Sequence, residues 1–194
     1  FQWFMSRQGD PTDWDYGAAL QGDSAAATYG DNADAGTLGE EIRALVPFGD
    51  DHLIFGLKTE TWVMRGDPGF GGRLLNISRS VGFLDRDAYC HGPNGELVFM
   101  SLNGLYGMSG QGSLPEPISL GTLPEDLLNI ERSNYQVTME YSVKERGIHI
   151  FLTPRVRNIR RHFYFDWDTK TFLPDKYRLD QEATAIFRYN SQLD

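Results

Sequence analysis

The sequence has one cysteine, fewer basic than acidic residues and no long apolar run. Because Cys90 is the only cysteine among 194 residues, the chain can form neither an internal disulfide nor a cysteine metal cluster. Cys90 lies in a predicted strand, which favours a buried, inert thiol over a nucleophile. No apolar run comes near the roughly 18 residues of a membrane-spanning helix, and no signal peptide is recognisable. We therefore expect no membrane partner.

The net charge of −9 opposes a function in binding nucleic acid, since such binding needs a basic surface. One cationic patch is present around a predicted hairpin loop. We interpret its side chains as solvating that loop rather than as a nucleic-acid contact. The patch consists of Lys144, Arg146, Arg155, Arg157, Arg160 and Arg161.

Motifs for catalysis and for metal or cofactor binding are also missing. No serine lies in a Gly-x-Ser-x-Gly frame, and no two histidines have the HExxH spacing of a zinc site. The acidic segment 31–36 fails as a calcium loop, because Ala33 and Ala35 stand where ligands are needed. We predict no catalytic residue, no metal ligand and no cofactor, and we interpret each histidine as a strand or turn residue. The histidines are His52, His91, His149 and His162.

The high content of glycine, proline and aromatic residues is typical of an all-β protein. Twenty-one glycines, nine prolines and an aromatic content of 13% favour short strands joined by tight turns. The clearest unit is a hairpin in which Leu97–Ser101 and Leu105–Met108 pair across Asn103-Gly104. Asn-Gly accepts the positive φ angles of a tight hairpin turn, so this pairing should be antiparallel.

The hairpin recurs on both sides of this copy, at spacings of 44 and 51 residues. A period of roughly 40 to 50 residues with several strands in each period is typical of propeller blades. We therefore predict a β-propeller or propeller-like array of antiparallel blades, with about four blades or as an arc of a larger ring. The further copies are His52–Leu57 with Thr61–Arg65 and Ile148–Thr153 with His162–Trp167, aligned on Leu53, Leu97 and Ile148.

The rest of the chain supplies further elements of a predicted single domain over residues 1–194. Residues 17–40 are rich in Ala, Gly, Asp and Ser and are expected to form an exposed acidic loop. Phe1–Ser6 and Ala183–Tyr189 are predicted strands whose pairing would close a small ring. The chain begins inside a predicted strand without a methionine, so we expect a fragment or a processed product. The other predicted elements are strands at Ile42–Phe48, Leu74–Ser78, Val81–Leu84, Ala88–His91, Tyr135–Val143 and Thr171–Leu173, and a helical turn within Leu123–Ile130.

Three segments of the chain resemble a known family. Phe4–Trp14, Leu45–Gly56 and Trp62–Gly66 are similar to the propeller-forming part of tail nozzle proteins of short-tailed bacteriophages, the tail tubular protein B type. The resemblance covers residues 1 to 110, but the chain is far shorter than a nozzle subunit and has no evident platform domain. It implies a structural, non-enzymatic propeller of the virion that assembles with other structural subunits as a homo-oligomer. The matching positions are Ser6, Gly9, Asp10, Trp14, Leu45, Pro47, Phe48, Leu53 and Phe55.

Two other functions remain open from the residues. A carbohydrate-binding or glycoside-hydrolysing propeller would bind glycan through exposed aromatics such as Trp14, Trp62 and Trp167 with nearby acids. A protein-interaction propeller would bind a specific protein partner, and the chain would then be cytoplasmic. We interpret the aspartates that could meet on a propeller axis as turn residues. These aspartates are Asp51, Asp67, Asp85, Asp87, Asp166 and Asp168.

Overall fold

The computed structural model describes most of the chain, and almost all of its regular structure is β-strand. The described residues are 2–17, 23, 25–29, 38–66, 72–110, 112–119, 121–128, 130–156, 160–174 and 186–187. Their sheets are antiparallel, which confirms the all-β class. Residues 1–82 and 83–194 form two compact units, called here the first and the second unit, and each is described by itself. The single domain over residues 1–194 stays a prediction.

The first unit contains a two-stranded and a four-stranded antiparallel sheet. In the smaller sheet, β1 (Phe4–Met5) pairs with β2 (Thr28–Tyr29). The larger sheet is a meander in which each strand pairs with the next along the chain. Its second and third strands have the bounds predicted from the sequence. The strands of this meander are β3 (Ile42–Pro47), β4 (His52–Leu57), β5 (Thr61–Arg65) and β6 (Arg73–Ser78).

Both faces of this meander carry buried side chains, because apolar residues stand at consecutive positions of β4 rather than at alternate ones. Phe55 points into a core built around Trp3. Ile54 lies on the opposite face and is also fully buried. The core around Trp3 consists of Trp3, Leu38, Phe55, Leu57 and Met64.

The second unit contains two further four-stranded antiparallel meanders and a helical turn. The strands of the first are β7 (Tyr89–His91), β8 (Leu97–Ser101), β9 (Gly104–Met108) and β10 (Glu116–Pro117). The strands of the second are β11 (Tyr135–Ser142), β12 (Gly147–Pro154), β13 (Arg161–Asp166) and β14 (Thr171–Pro174). The helix α1 (Glu125–Leu128) falls within the segment predicted to be helical.

One apolar core is shared by the two meanders of the second unit. The predicted alternation of β11 is confirmed, since Val137, Met139 and Tyr141 are buried together in this core. Met100 of β8 belongs to the same core. The backbone N–H of Met139 also donates to the carbonyl of Asp87 at 3.1 Å, which connects β11 to the segment that precedes β7.

The central hairpin forms as predicted, but its turn is displaced by one residue. Ser101 pairs with Gly104, so the two turn residues are Leu102 and Asn103. Gly104 has a φ of 126°, whereas the φ of Asn103 is not positive. The prediction of an Asn103-Gly104 turn is therefore wrong in register, because the chain reverses at Leu102 and Asn103 and the positive φ of glycine falls on the first residue of β9.

Part of the predicted exposed loop 17–40 belongs to the core instead. Ala26 and Leu38 are buried, and Thr28 forms part of β2. Small alanines and a strand of two residues produce no periodic pattern, so the sequence did not reveal this packing. Residues 18–22, 24 and 30–37 lie outside the described residues, and the rejected calcium segment 31–36 is among them.

The segment Val81–Leu84, predicted to begin a blade, is not a strand. Phe83 and Leu84 are buried although their backbone is irregular, and the rings of Phe83 and Phe99 stack at a centroid distance of 4.0 Å. The backbone N–H of Leu84 donates to the carbonyl of Met100 at 2.8 Å. The prediction was wrong because the apolar run reports burial rather than strand pairing.

The strand expected to close a ring is mostly outside the described residues. Of Ala183–Tyr189, the structure describes 186–187, and these two residues are not in a strand. Within Phe1–Ser6, Phe4 and Met5 pair with β2. Its pairing with Ala183–Tyr189 therefore stays a prediction.

Candidate functional site

A groove with a volume of about 730 Å³ lies in the first unit and is lined by the segment around β1 and by the sheet β3–β6. One face of that sheet forms its apolar floor. Strand pairing places Leu45 beside Phe55 and Leu53 beside Met64, so these side chains line one surface. Leu45 is 52% exposed, which shows that the floor is open to solvent.

The wall of the groove formed by β1 is aromatic. Trp3 is buried edge-on against Phe55, with ring centroids 6.4 Å apart. Phe4 is 54% exposed, and its ring is supported by Tyr29 at a centroid distance of 5.9 Å. Tyr16 contacts both Phe4 and Tyr29. The groove therefore offers a supported apolar surface of the kind found at protein interaction sites.

The rim of the groove carries uncompensated negative charge. Asp50 and Asp51 are exposed in the turn between β3 and β4, and their carboxylates have no hydrogen bond or ion pair with the described residues. Arg7 also lines the groove, but its guanidinium pairs with Asp23 at 2.8 Å and with Asp13 at 3.7 Å. The remaining charge of the rim is acidic and favours a cationic group.

His52 follows these aspartates and contributes a buried ring nitrogen. Its Nδ1 is shielded from solvent and has no hydrogen-bond partner in the described part of the chain. An unsatisfied buried polar atom costs roughly 1–3 kcal/mol. The apolar floor and the acidic rim together suit an apolar group that stands next to a cation.

A second polar cluster lies on one face of the sheet β11–β14. The rings of His149 and His162 stack at a centroid distance of 5.2 Å, with Nδ1 of His149 at 3.0 Å from Nε2 of His162. Nε2 of His149 lies 2.6 Å from Oε2 of Glu145. A carboxylate accepts, so the Nε2–H of His149 donates to Glu145. In neutral His149, Nδ1 then accepts from the Nε2–H of His162.

The sequence interpretation treated these histidines as separate strand or turn residues and missed their contact. In the register of β12 and β13, Phe151 pairs with His162 and His149 pairs with Tyr164. The two histidines are therefore diagonal neighbours on one face. Phe151 also stacks on His162 at 4.3 Å between centroids, which favours a role in packing. The signal that could have revealed the cluster is the alternation of His149 and Phe151 in β12 opposite the ring-bearing residues of β13.

The sequence matches no protein-family model and no curated protein. The resemblance to tail nozzle proteins therefore stays a prediction from the residues given above.

The aspartates that a glycosidase would need are used in turns and ion pairs. Asp166 accepts hydrogen bonds from the backbone N–H of Thr169 at 2.7 Å and of Asp168 at 3.1 Å. The backbone and hydroxyl bonds from Thr169 hold the pKa of Asp166 below its usual value. Asp168 pairs with Arg146 at 2.9 Å. The turn role expected of Asp166 is thus confirmed, and Asp67 lies outside the described residues.

Asp85 is buried and is held by two arginines from other segments of the second unit. Its Oδ1 lies 3.2 Å from Nε of Arg132, and its Oδ2 lies 3.2 Å from Nη2 of Arg155. The Asp85 side chain is only 2% exposed. Asp87 pairs with Arg86 at 2.9 Å on the surface. The contacts of Asp85 are those of a structural clamp between segments distant in sequence.

Much of the cationic patch around the loop between β12 and β13 is consumed by such contacts. Arg146, Arg155 and Arg161 each pair with an aspartate. Lys144 is exposed, and its ammonium has no contact with the side chains described. Arg157 lies outside the described residues. Because these arginines are paired with aspartates, fewer basic side chains are left to bind the phosphate backbone of a nucleic acid than the sequence suggests.

The tryptophans that a sugar-binding function would use have different surroundings. Trp14 is 50% exposed, and its indole N–H donates to a backbone carbonyl at 3.0 Å. The indole N–H of Trp62 donates to Glu60 at 2.7 Å. Trp167 belongs to the second unit, where Nζ of Lys170 lies 3.3 Å from its ring centroid. Trp14 therefore keeps the most open surface for a ligand.

Cys90 is the buried thiol that the sequence predicts. It lies in β7 and is 3% exposed, and burial raises its pKa well above the usual value. Among the residues that the structure describes, no group of three or more His, Cys, Asp and Glu side chains could hold a metal ion. In that same part of the chain, no helix is long and apolar enough to cross a bilayer.

Proposed function

We propose that this chain is a structural, non-enzymatic β-propeller protein that assembles with further copies and other subunits in a phage-like virion tail. The proposal depends on one observation, the succession along the chain of three four-stranded antiparallel meanders, β3–β6, β7–β10 and β11–β14. A propeller blade is a four-stranded sheet of this kind, and radial repetition of blades leaves only short, protected edges.

The position of the repeat within the sheets supports this architecture. Leu53, Leu97 and Ile148, aligned from the sequence, all fall in the second strand of their meander. Equivalent residues occupy equivalent strands when one unit is repeated. In β8 every residue is buried, so both faces of that strand are covered. A blade that packs between two neighbouring sheets would have this pattern of burial.

The turn that contributes to the nozzle resemblance is formed in the first unit. Arg7 and Asp10 are bridged through their backbones, and Gly9 between them has a φ of 80°, which glycine adopts without strain. Asp10 accepts hydrogen bonds from Oγ1 of Thr12 at 2.7 Å and from its N–H at 2.9 Å, and these bonds lower the pKa of Asp10. A Ser-x-x-Gly-Asp segment that folds as a tight turn supports the resemblance.

Several polar side chains of the types that serve in catalysis have structural contacts instead. Asp85 bridges two arginines, Asp166 closes a turn, and His149 links Glu145 to His162. Side chains held by several such contacts rigidify a protein. This arrangement favours a structural role over hydrolysis.

The mass and shape of the purified chain test the proposal. Multi-angle light scattering at micromolar concentration, together with negative-stain imaging, should reveal closed rings or stacked tubes of many subunits. A compact particle of 22.0 kDa would be a monomer and would overturn the homo-oligomeric role.

Sugar binding is the second candidate function, and the half-exposed ring of Trp14 favours it. Aromatic faces next to carboxylates suit sugar rings, and Asp13 and Asp15 flank Trp14 in sequence. A glycan array probed with the wild-type chain should then give binding that Trp14→Ala abolishes and that Leu114→Ala, an exposed apolar control, preserves. An array without any bound glycan would remove this candidate.

A further inference from the structure

We infer that the groove of the first unit receives the tip of the β11–β12 hairpin from a second copy of the chain. The hairpin tip is defined as Val143 and Lys144. This contact deepens the proposed assembly role and rests on it. It names the two surfaces through which neighbouring copies would meet.

The hairpin tip exposes an apolar side chain beside a cation. Val143 is 62% exposed, although valine is among the residues most often buried. Lys144 is exposed as well, and its ammonium has no partner among the described side chains. The tip therefore presents an exposed apolar side chain and a positive charge, and neither is satisfied by the described residues of the second unit.

The turn beneath the tip is held in place by its neighbours. The hydroxyl of Tyr164 donates to the carbonyl of Glu145 at 2.5 Å, and Nη2 of Arg146 is held in an ion pair at 2.9 Å. Glu145 follows Lys144 in the sequence, but its carboxylate accepts a hydrogen bond from His149 at 2.6 Å. The neighbouring carboxylate is therefore already bound to another side chain. An ordered tip loses little conformational freedom when it binds.

The groove has the matching features. Its floor includes Leu45, which is 52% exposed, so contact with Val143 would cover two apolar side chains that each have more than half of their surface in solvent. The adjacent rim carries the carboxylates of Asp50 and Asp51. The flexible stem of Lys144 can follow the apolar surface while its ammonium reaches that rim. The compact ammonium of Lys144 can pair with either of the neighbouring carboxylates of Asp50 and Asp51.

The contact joins two different surfaces, so it is head-to-tail rather than self-complementary. Each copy contributes one hairpin tip and one groove. Repetition of such a contact closes into a ring where the rotation between copies allows it, and otherwise continues as a filament. This is the type of contact that the proposed assembly needs.

Charge reversal on each side tests the contact. One variant carries Asp51→Lys in the groove, and the other carries Lys144→Glu in the tip. Alone, each variant places like charges together, and its self-association should weaken by at least about tenfold in sedimentation velocity. An equal mixture restores opposite charges at positions 51 and 144 in both directions, since the unchanged Lys144 then meets the unchanged Asp51 and the two substituted side chains meet each other. The mixture should therefore assemble as the wild type does.

Two control variants change the net charge equally at other exposed positions. Glu116→Lys matches Asp51→Lys, and Lys58→Glu matches Lys144→Glu. Both controls should assemble like the wild type. Wild-type assembly that persists in both charge-reversed variants would overturn the contact but leave the assembly role intact. A wild-type chain that stays monomeric would overturn both.

A cross-linking measurement is independent of charge. Asp51→Cys and Lys144→Cys variants are mixed under mild oxidation, and the native Cys90 does not compete because it is buried. A disulfide-linked dimer should form between the two variants and not between Lys144→Cys and Glu116→Cys. Failure to form the linked dimer while the mixture remains assembled would refute the contact.

Discussion

His149 and His162 stand at diagonal positions of two paired strands, with Nδ1 of His149 at 3.0 Å from Nε2 of His162. His149 is 7% exposed, so its two ring nitrogens depend on Glu145 and His162 rather than on water. Both nitrogens are satisfied, and the stacked rings cover this face of the sheet β11–β14. The pair therefore stabilises the sheet through hydrogen bonds and packing together.

We expect His149→Phe to lower the free energy of unfolding by roughly 1–3 kcal/mol, because it leaves Nε2 of His162 without this acceptor. Urea unfolding followed by circular dichroism measures the loss. The double variant His149→Phe/His162→Phe removes both partners and keeps two stacked rings, so it should recover part of the stability. A double variant that is less stable than the single one would contradict a stabilising hydrogen bond.

Gly104 makes the central hairpin sensitive to any side chain. Its φ is 126°, and a Cβ there would lie 2.8 Å from Oγ of Ser119, which accepts a hydrogen bond from the N–H of Leu105 at 2.9 Å. We expect Gly104→Ala to cost more than about 1 kcal/mol, and Gly104→Val to cost more still, since a β-branched residue resists positive φ. Gly110→Ala is the matched control, because no atom lies within 4 Å of its added Cβ. Thermal melts that show no difference between Gly104→Ala and Gly110→Ala would reject the hairpin geometry.

The hairpins could be predicted because their signal is local. In β4 and β5, two apolar runs separated by a short turn already define the strand bounds. The position of the central turn could not be predicted, since turns at 102–103 and at 103–104 both use the positive φ available to Gly104. Val81–Leu84 was misassigned for another reason, because an apolar run indicates burial whether or not the backbone pairs.

Asp85→Asn should destabilise the second unit, because it removes the charge that holds Arg132 and Arg155. Loss of one partner of a buried ion pair costs about 3–5 kcal/mol, but both arginines remain partly exposed and can be hydrated, so we expect roughly 1–3 kcal/mol. Asp87→Asn is the control, since its pair with Arg86 is largely exposed and the amide oxygen of Asn can still accept the hydrogen bond from Nε2 of Gln136. It should change stability by less than about 0.5 kcal/mol. Chemical denaturation of both variants measures the difference, and equal losses would argue against a buried clamp.

The groove and the histidine cluster could not be read from local pattern. The groove is lined by Phe4 together with Leu45 and Phe55, which are separated from Phe4 by a long stretch without periodicity. The contact of His149 with His162 depends on the register of β12 and β13, and a slip of one residue would send the rings to opposite faces. Sequence reasoning identified the strands but had no means to fix that register. It also placed Asp51 and His52 correctly in a turn and at a strand start without revealing the surface that they line.

The pH dependence of stability in the first unit should include a contribution from Glu40. Its Oε2 accepts from the N–H of Thr59 at 2.9 Å and its Oε1 from the hydroxyl of Thr59 at 2.8 Å. These bonds, the backbone one first, hold the pKa of Glu40 below its usual value. A carboxyl with a lowered folded-state pKa adds stability that is present above its unfolded pKa and lost as the pH falls through the folded one.

We therefore expect the wild type to lose more stability than Glu40→Gln as the pH falls from the ordinary pKa of a glutamate through the lower pKa of folded Glu40. Denaturation at a series of acidic pH values measures this, and carbon-detected NMR titration of Glu40 reports its pKa directly. Thr59→Val should raise that pKa part of the way, because it removes the hydroxyl donor but keeps the backbone N–H. Glu116→Gln, at an exposed site in the second unit, should follow the wild-type profile. If Glu40→Gln and Glu116→Gln lose stability in parallel as the pH falls, the hydrogen bonds from Thr59 do not stabilise the ionised carboxylate of Glu40. The segment before β3 and the turn after β4 would then be connected by packing alone.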